Sequence, residues 1–178
     1  MTALDRQANL LGALALVITD QTAEAVAATA GQSASAAAAL SALHHFLDHP
    51  TLDQLHKVLG LTPSGAVRLV DRLADAGLVT RGTGKDGRSR SVVLTDAGKR
   101  VAAQITAARA TLLSSALAEL SPAERETLHS LMSRIMASLV RSKEGGAWIC
   151  RLCDLDACGR PSGHCPAANC AAAKYATR

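Results

Sequence analysis

The fold is decided by residues 62–98, which read TPSGAVRLVDRLADAG and then LVTRGTGKDGRSRSVVLTDAG. The first part has the ends of a short helix: Thr62 suits the N-terminal cap, Pro63 the first turn and Gly77 a left-handed stop. Apolar residues recur between these ends at helical spacing, which predicts one buried face. This stripe consists of Ala66, Leu69, Val70 and Leu73.

The second part predicts a two-stranded hairpin. Its arms, residues 78–80 and 92–94, are rich in β-branched side chains, and the tip between them is rich in glycine and charge. A helix followed by a basic hairpin is the layout of a winged helix-turn-helix. In that layout the helix lies in the major groove of DNA and the hairpin, the wing, reaches along the backbone.

The segment before Thr62 supplies the first helix of the motif. A capping box of Thr51 and Gln54 starts a short helix that ends before Gly60, and an Ala-rich helix is predicted over 33–49. Two short helices joined by a turn that contains glycine make a helix-turn-helix.

Charge is concentrated in this region. Residues 62–100 hold eight basic and four acidic residues, a net charge of +4 that equals the formal net charge of the whole chain. An ordinary helix and hairpin with solvated charges would not require this localisation. A local basic stretch on a winged-helix pattern indicates a protein that binds double-stranded DNA.

The stretch DGRSRSVVLTDAG (86–98) resembles the wing signature Asp-x-Arg-x5-Leu-Thr-x-x-Gly of MarR-type transcriptional regulators. Residues 68–73 and 77–79 are similar to that family's recognition helix and the start of its wing. The resemblance covers roughly residues 1–145. It implies a mainly α fold with a small β-hairpin wing and a helical dimerisation domain. It also implies a homodimeric repressor that binds a near-palindromic operator.

DNA contacts are expected from the helix and from the wing. Base reading should rest on Ser64, Arg68 and an apolar contact of Val67 with a thymine methyl group. Arg88 should enter the minor groove at the tip of the wing, with Asp86 orienting it. The predicted DNA-binding residues are Ser64, Val67, Arg68, Arg72, Lys85, Asp86, Arg88 and Arg90.

The 178 residues divide into four predicted parts. Long apolar helices on both sides of the winged helix cannot bury their faces on so small a unit, so packing against a twin subunit is expected. The parts are an N-terminal dimerisation helix (1–32), the winged helix-turn-helix (33–98), C-terminal dimerisation helices (99–144) and a cysteine-rich tail (145–178).

Composition argues against several other classes of protein. Asp20 and Glu24 interrupt the first apolar run, and Asp5 precedes it without a basic opening, so neither a membrane span nor a secretory signal is expected. We therefore expect a cytoplasmic protein without a membrane partner. No nucleotide-binding loop or nucleophile–base pair stands out, so a redox enzyme or electron carrier is a less favoured hypothesis than a regulator.

All five cysteines follow Ala147, with the spacing C-x2-C-x4-C-x6-C-x4-C. Clustered cysteines in a cytoplasmic protein are more often metal ligands than disulfides. An iron–sulfur cluster is favoured because it needs four close thiolates, and because Cys165-Pro166 resembles the end of the bacterial ferredoxin ligand run. A zinc site, with a conventional response of the regulator to small ligands, is the alternative. A switch made of free thiols is a third possibility.

The predicted metal ligands are Cys150, Cys153, Cys158 and Cys165, with Cys170 or His164 as substitutes. The favoured cofactor is a [4Fe-4S] rather than a [2Fe-2S] cluster, which would sense redox state, oxygen, nitric oxide or iron. We expect Trp148 to pack the tail onto the dimerisation helices. Loss of the cluster would then change how the last helix docks, and so the spacing of the two recognition helices.

Histidines could offer a second metal site, since His45 and His49 stand four residues apart on the predicted helix 33–49. No carboxylate or cysteine joins them at ligand spacing. Ordinary surface or partly buried histidines are therefore the favoured interpretation of His44, His45, His49 and His56.

Overall fold

A computed structural model of the chain describes residues 2–83, 90–140 and 148–175. Its mainly α fold with one small antiparallel hairpin confirms the predicted fold class. The elements are α1 (Ala3–Ala30), α2 (Ala34–His45), α3 (Leu52–Leu59), α4 (Pro63–Asp75), β1 (Val79–Thr83), β2 (Arg90–Leu94), α5 (Asp96–Leu117), α6 (Pro122–Leu139) and α7 (Pro166–Tyr175).

The helices begin where the sequence predicts, because the capping side chains satisfy backbone groups that a helix end leaves unpaired. Thr51 Oγ1 accepts from the backbone N–H of Gln54 at 3.2 Å, and Gln54 Oε1 accepts from that of Thr51 at 2.9 Å. Thr62 caps α4 and Thr95 caps α5 by accepting from the backbone N–H of Gly65 and Gly98, without a reciprocal side-chain bond. Gly77, with φ of 68°, provides the left-handed stop after α4.

The predicted helix 33–49 is too long, since α2 ends at His45. His49 has φ of 52° and precedes Pro50, a position where helical conformation is disfavoured. The chain turns here because the carbonyl of Pro50 accepts a hydrogen bond from the backbone N–H of Val92 at 2.9 Å. An isolated antiparallel bridge from Thr51 to Ser91 also joins this segment to the hairpin, and the sequence pattern did not predict it.

The predicted hairpin forms, and its register runs from Val79 opposite Leu94 to Thr83 opposite Arg90. Its base is closed by Thr95 Oγ1, which donates to the carbonyl of Gly77 at 2.7 Å. Helices α2 and α5 pack behind it, and α1 packs along α5. The buried core of this unit consists of Val26, Ala36, Ala37, Ala38, Ala39, Leu40, Leu55, Leu59, Leu69, Val70, Leu73, Leu78, Val79, Val92, Ala102 and Ile105.

The first helix differs from expectation in one respect. Although Asp20 and Glu24 lie within it, α1 is long and apolar enough to cross a membrane by length and composition alone. Only about a tenth of its most apolar window is buried (11%). Its C-terminal half nevertheless contributes Val26 to the core beneath α2 and α5, as a packed helix of a globular unit does.

The tail attaches to the rest of the chain at two places. Its last element, α7, lies against α6, where Cys170 Sγ donates to the carbonyl of Ala137 at 3.2 Å. Its first segment lies against the winged helix, with Leu152 packed on the main core. The expectation that Trp148 packs on the dimerisation helices is wrong, because its ring lies against Gly60 in the turn between α3 and α4.

Candidate nucleic-acid interface and cysteine site

Helix α4 presents a polar face outward because its apolar stripe is buried. Ala66, Leu69, Val70 and Leu73 are each at most 3% exposed. The predicted contact residues Ser64, Val67, Arg68 and Arg72 are all exposed, Val67 at 39%. An exposed valine between polar side chains suits an apolar contact in the major groove.

The wing contributes one described residue of the predicted set, Arg90, which is exposed at the start of β2. Lys85, Asp86 and Arg88 lie outside the described residues, so their assignment stays a prediction.

An ion pair that sequence reasoning missed joins the helix to the wing. Arg81 on β1 donates to Asp71 on the outer face of α4, and both side chains are partly exposed. Arg81 is one of the eight basic residues in the stretch 62–100, but its charge is directed toward the helix. The two residues are ten positions apart in the chain, and neither helical nor strand periodicity predicts a contact at that separation. The pair couples the orientation of the wing to that of α4.

The four predicted ligand cysteines belong to one small cluster of the tail. Cys150 and Cys165 are buried, whereas Cys153 and Cys158 are partly exposed. Cys150 and Cys153 lie close enough to shift each other's pKa, and Cys165 lies close enough to raise the pKa of Cys158. The two pairs also interact electrostatically with each other. Within residues 2–83, 90–140 and 148–175, no three His, Cys, Asp or Glu groups converge on a single ion position.

The two substitute ligands have other contacts. The thiol of Cys170 is hydrogen-bonded to α6. The His164 ring is exposed and lies against Gly159, whose carbonyl accepts from the backbone N–H of His164 at 2.9 Å. Neither contact prevents metal binding after a rotamer change, so both remain the predicted substitutes.

Three arginines surround the thiols with positive charge. The neighbouring Cys150, and then the charges of Arg109, Arg160 and Arg151, lower the pKa of Cys153 to about 6 against the opposing effect of burial. The neighbouring Cys153, together with burial, raises the pKa of Cys150. The pair therefore loses its first proton at Cys153, which produces the thiolate that a metal requires.

Arg160 has an unusual feature. Its Nη1 is buried and has no hydrogen-bond partner among the described residues. Buried donors are nearly always paired, so an orphan of this kind calls for a specific explanation such as an ion. Its guanidinium acts on both Cys150 and Cys153. A centre held by several thiolates is anionic, and it would supply the acceptor that Arg160 lacks.

The histidines have local partners instead of a common site. His45 Nε2 lies 2.9 Å from Thr106 Oγ1, and His56 Nε2 lies 3.3 Å from Asp53 Oδ1. Because α2 ends at His45, His49 does not stand one turn further along the same helix.

The comparisons with known proteins agree with this geometry. A model of the MarR family matches residues 30–89, which include α2, α3, α4 and the first wing strand. Residues 30–89 are therefore similar to the winged helix of MarR-family proteins. No curated protein sequence matches it.

Solved MarR-type structures have the same fold over most of the chain. A MarR family protein from Bacillus stearothermophilus matches with a TM-score of 0.70 and 20% identity, over 79% of this chain and 99% of the other. A probable transcriptional regulator from Pseudomonas aeruginosa is 28% identical, with a TM-score of 0.54 over 70% and 95% of the two chains. CouR from Rhodococcus jostii RHA1, bound to p-coumaroyl-CoA, matches with a TM-score of 0.61 and 18% identity, over 76% of this chain and 94% of the other.

Proposed function

We propose that this MarR-type regulator is a homodimeric repressor that binds a near-palindromic DNA operator. The observation that carries the proposal is α4, whose buried stripe leaves Ser64, Val67, Arg68 and Arg72 together on the opposite surface. Arg68 and Arg72 are one turn apart, so both can reach the phosphates and base edges of one major groove. Arg88 completes the contact from the wing.

Exposed apolar surface on two helices supports dimerisation. Six large apolar residues on α1 and four on α6 are between 41% and 71% exposed. Exposed apolar side chains in such number favour an interface, and a twofold dimer would present two recognition helices to two half-sites. The residues are Leu4, Leu10, Leu11, Leu14, Leu16, Val17, Leu131, Met132, Ile135 and Leu139.

The cysteine site is proposed to hold an iron–sulfur cluster, with [4Fe-4S] favoured. The ligands would be Cys150, Cys153, Cys158 and Cys165, which belong to one small cluster of the tail. The surrounding arginines and the unpaired Nη1 of Arg160 fit an anionic centre. The regulator would then respond to redox state, oxygen, nitric oxide or iron, in the cytoplasm where such thiols stay reduced.

A second candidate is a regulator that responds to a small ligand and carries structural zinc in the tail. A cavity of about 270 Å³ favours it. The walls come from α1, α2, α5 and the tail, and are mostly apolar with Arg109 and Arg151 as charged groups. Similar structures include one with p-coumaroyl-CoA bound. Colour separates the candidates, since protein purified without oxygen would be brown with a cluster and colourless with zinc.

The DNA-binding proposal is tested with Arg68→Ala and a control of equal charge change, Arg125→Ala on α6. Arg68→Ala should weaken binding to a selected operator and reduce the salt slope by about one unit, because one phosphate-equivalent contact is lost. Arg125→Ala should leave both nearly unchanged. Equal effects of the two variants would mean that α4 is not the DNA-contacting helix.

A further inference from the structure

The only tryptophan of the chain lies against the turn of the helix-turn-helix. A Cβ added at Gly60 would lie 2.8 Å from Trp148 Nε1 and 3.2 Å from Trp148 Cδ1, so a larger residue would require the ring to move. Gly60 ends α3 with φ of 65°, and Thr62, the cap of α4, follows two residues later. The ring therefore touches the backbone that sets the angle between the two helices.

The segment that carries Trp148 is also the segment that carries two of the thiols. Cys150 and Cys153 follow within five residues, and Leu152 between them packs on the core of the winged helix. Arg151 connects the two features, since its guanidinium carbon lies 4.3 Å from the centre of the Trp148 ring and its charge acts on Cys153. Residues 148–153 thus hold the ring and the two thiols within one short segment.

The other attachment of the tail is less direct. Helix α7 meets α6 mainly through alanines, Met136 and Val140, and through hydrogen bonds of Cys170 and Lys174 to the carbonyl of Ala137. This contact lies far along the chain from α4. It is the path that a change in the dimer interface would use.

We propose that Trp148 is a positioning residue that couples the metal state of the cysteine site to DNA binding through Gly60. The inference rests on the proposed function, in which that site holds a metal centre. Bound metal fixes Cys150 and Cys153, holds the ring on the turn and preorganises α4 for the groove. Without metal the segment loosens, the ring leaves the turn, and operator affinity falls roughly five- to thirty-fold.

The test compares operator affinity with and without metal in three proteins: wild type, Trp148→Ala and Met136→Ala. Each is reconstituted without oxygen with ferrous iron and sulfide, or with zinc, and is then stripped with EDTA. The DNA is a duplex that the wild-type protein selects from a random pool. Met136→Ala is the matched control, because it weakens the packing of α7 on α6 and leaves the ring in place.

We expect the wild type and Met136→Ala to bind the operator more tightly when loaded with metal than when stripped. Trp148→Ala should retain its metal, yet its two affinities should become equal. If Trp148→Ala keeps the full difference, the coupling is overturned while the metal-sensing function stands. If wild-type protein binds metal but shows no difference, metal sensing and the coupling both fail.

A double-mutant cycle with Gly60→Ala gives a second readout. Alanine at position 60 is strained by the left-handed conformation to the same extent with Trp148 and with Trp148→Ala, so this strain cancels in the cycle. The interaction free energy that remains reports the contact between position 60 and the ring. Gly60→Ala should therefore reduce operator affinity of the loaded protein more in the presence of Trp148 than in Trp148→Ala. Additive effects would show that the ring does not act on this turn. Trp148→Phe, which keeps a ring without the Nε1–H, should lie between wild type and Trp148→Ala.

Discussion

The winged helix and the tail are built around different kinds of core. The winged helix buries sixteen residues, among them leucines, valines and an isoleucine from α1 to α5. The tail buries five, of which Cys150 and Cys165 are thiols, Ala167 and Ala171 are alanines, and Val140 comes from the end of α6. A buried leucine or valine contributes about 1.5–3 kcal/mol, and an alanine much less.

This difference indicates which interactions stabilise the folded state of each region. Apolar burial suffices for the winged helix, so its fold should not depend on any ligand. The tail has little apolar surface to bury, and short segments of this kind normally need a metal or disulfides. A metal bound by the thiols would supply that free energy directly, which makes the tail the conditional part of the molecule.

Removal of the thiol ligands should change the stability of the molecule most, and the loss of structure should be confined to the tail. In a Cys153→Ala, Cys158→Ala double variant, amide exchange over residues 148–175 should approach that of an unfolded chain. Protection in α4 and α5 should remain. Hydrogen exchange with mass spectrometry measures both regions in one experiment. Matched loss of protection in α4 would mean that the two regions fold as one unit.

A core substitution in the winged helix should have the opposite pattern. Leu69→Ala removes a side chain that is 2% exposed and should cost roughly 2–5 kcal/mol of unfolding free energy. The same loss is expected with and without metal, because Leu69 does not contact the tail core. Urea denaturation of loaded and stripped protein measures it. Ala167→Gly in the tail core is the control, with a much smaller effect on the winged-helix transition.

Sequence was sufficient where structure follows from local pattern. The cap at Thr62, the stripe that includes Leu69 and the hairpin that begins near Val79 all depend on residues close in the chain, and all are confirmed. The coming together of the cysteines was suggested by their short spacings. Helix-end chemistry and strand propensity act over a few residues, so a pattern can reveal them.

Sequence was insufficient where contacts join distant segments. Three such contacts produce no periodic pattern in the sequence. They are the hydrogen bond from Val92 to Pro50, the ion pair of Arg81 with Asp71, and the packing of the Trp148 ring on Gly60. Gly60 was assigned to a turn, but its lack of a side chain also makes room for the indole. The end of α2 at His45 was missed because the tertiary bond at Pro50 outweighs the helix preference of alanine-rich sequence.

A smaller effect is expected when the charge beside the thiols is altered. Arg160→Gln should lower the reduction potential of the reconstituted cluster, because a positive charge that stabilises the reduced, more negative state is lost. Arg160→Lys keeps the charge and should restore most of the potential. A spectroelectrochemical titration compares the three proteins. Equal potentials in all of them would remove Arg160 from the surroundings of the centre.

The smallest effect is expected at His45, where α2 faces the tail. Burial, and then the charge of His44, lower the pKa of His45, whereas Asp154 and Asp156 of the tail raise it. Because the folded pKa lies below the unfolded value of about 6.5, stability should fall as pH drops through about 6.5 toward the folded pKa. Removal of metal should lower this pKa further by releasing the two carboxylates. NMR titration of the His45 ring, with His45→Gln to assign the signal, measures the shift.

The most direct test of the account measures metal content and operator affinity in the same preparation. Protein purified without oxygen should be brown, contain iron and sulfide, and bind its selected operator more tightly than the same protein after EDTA treatment. Cys153→Ala should lack the centre and bind with the affinity of the stripped form. Full iron and sulfide content with equal affinities in all three samples would contradict the account, as would a preparation without any bound metal.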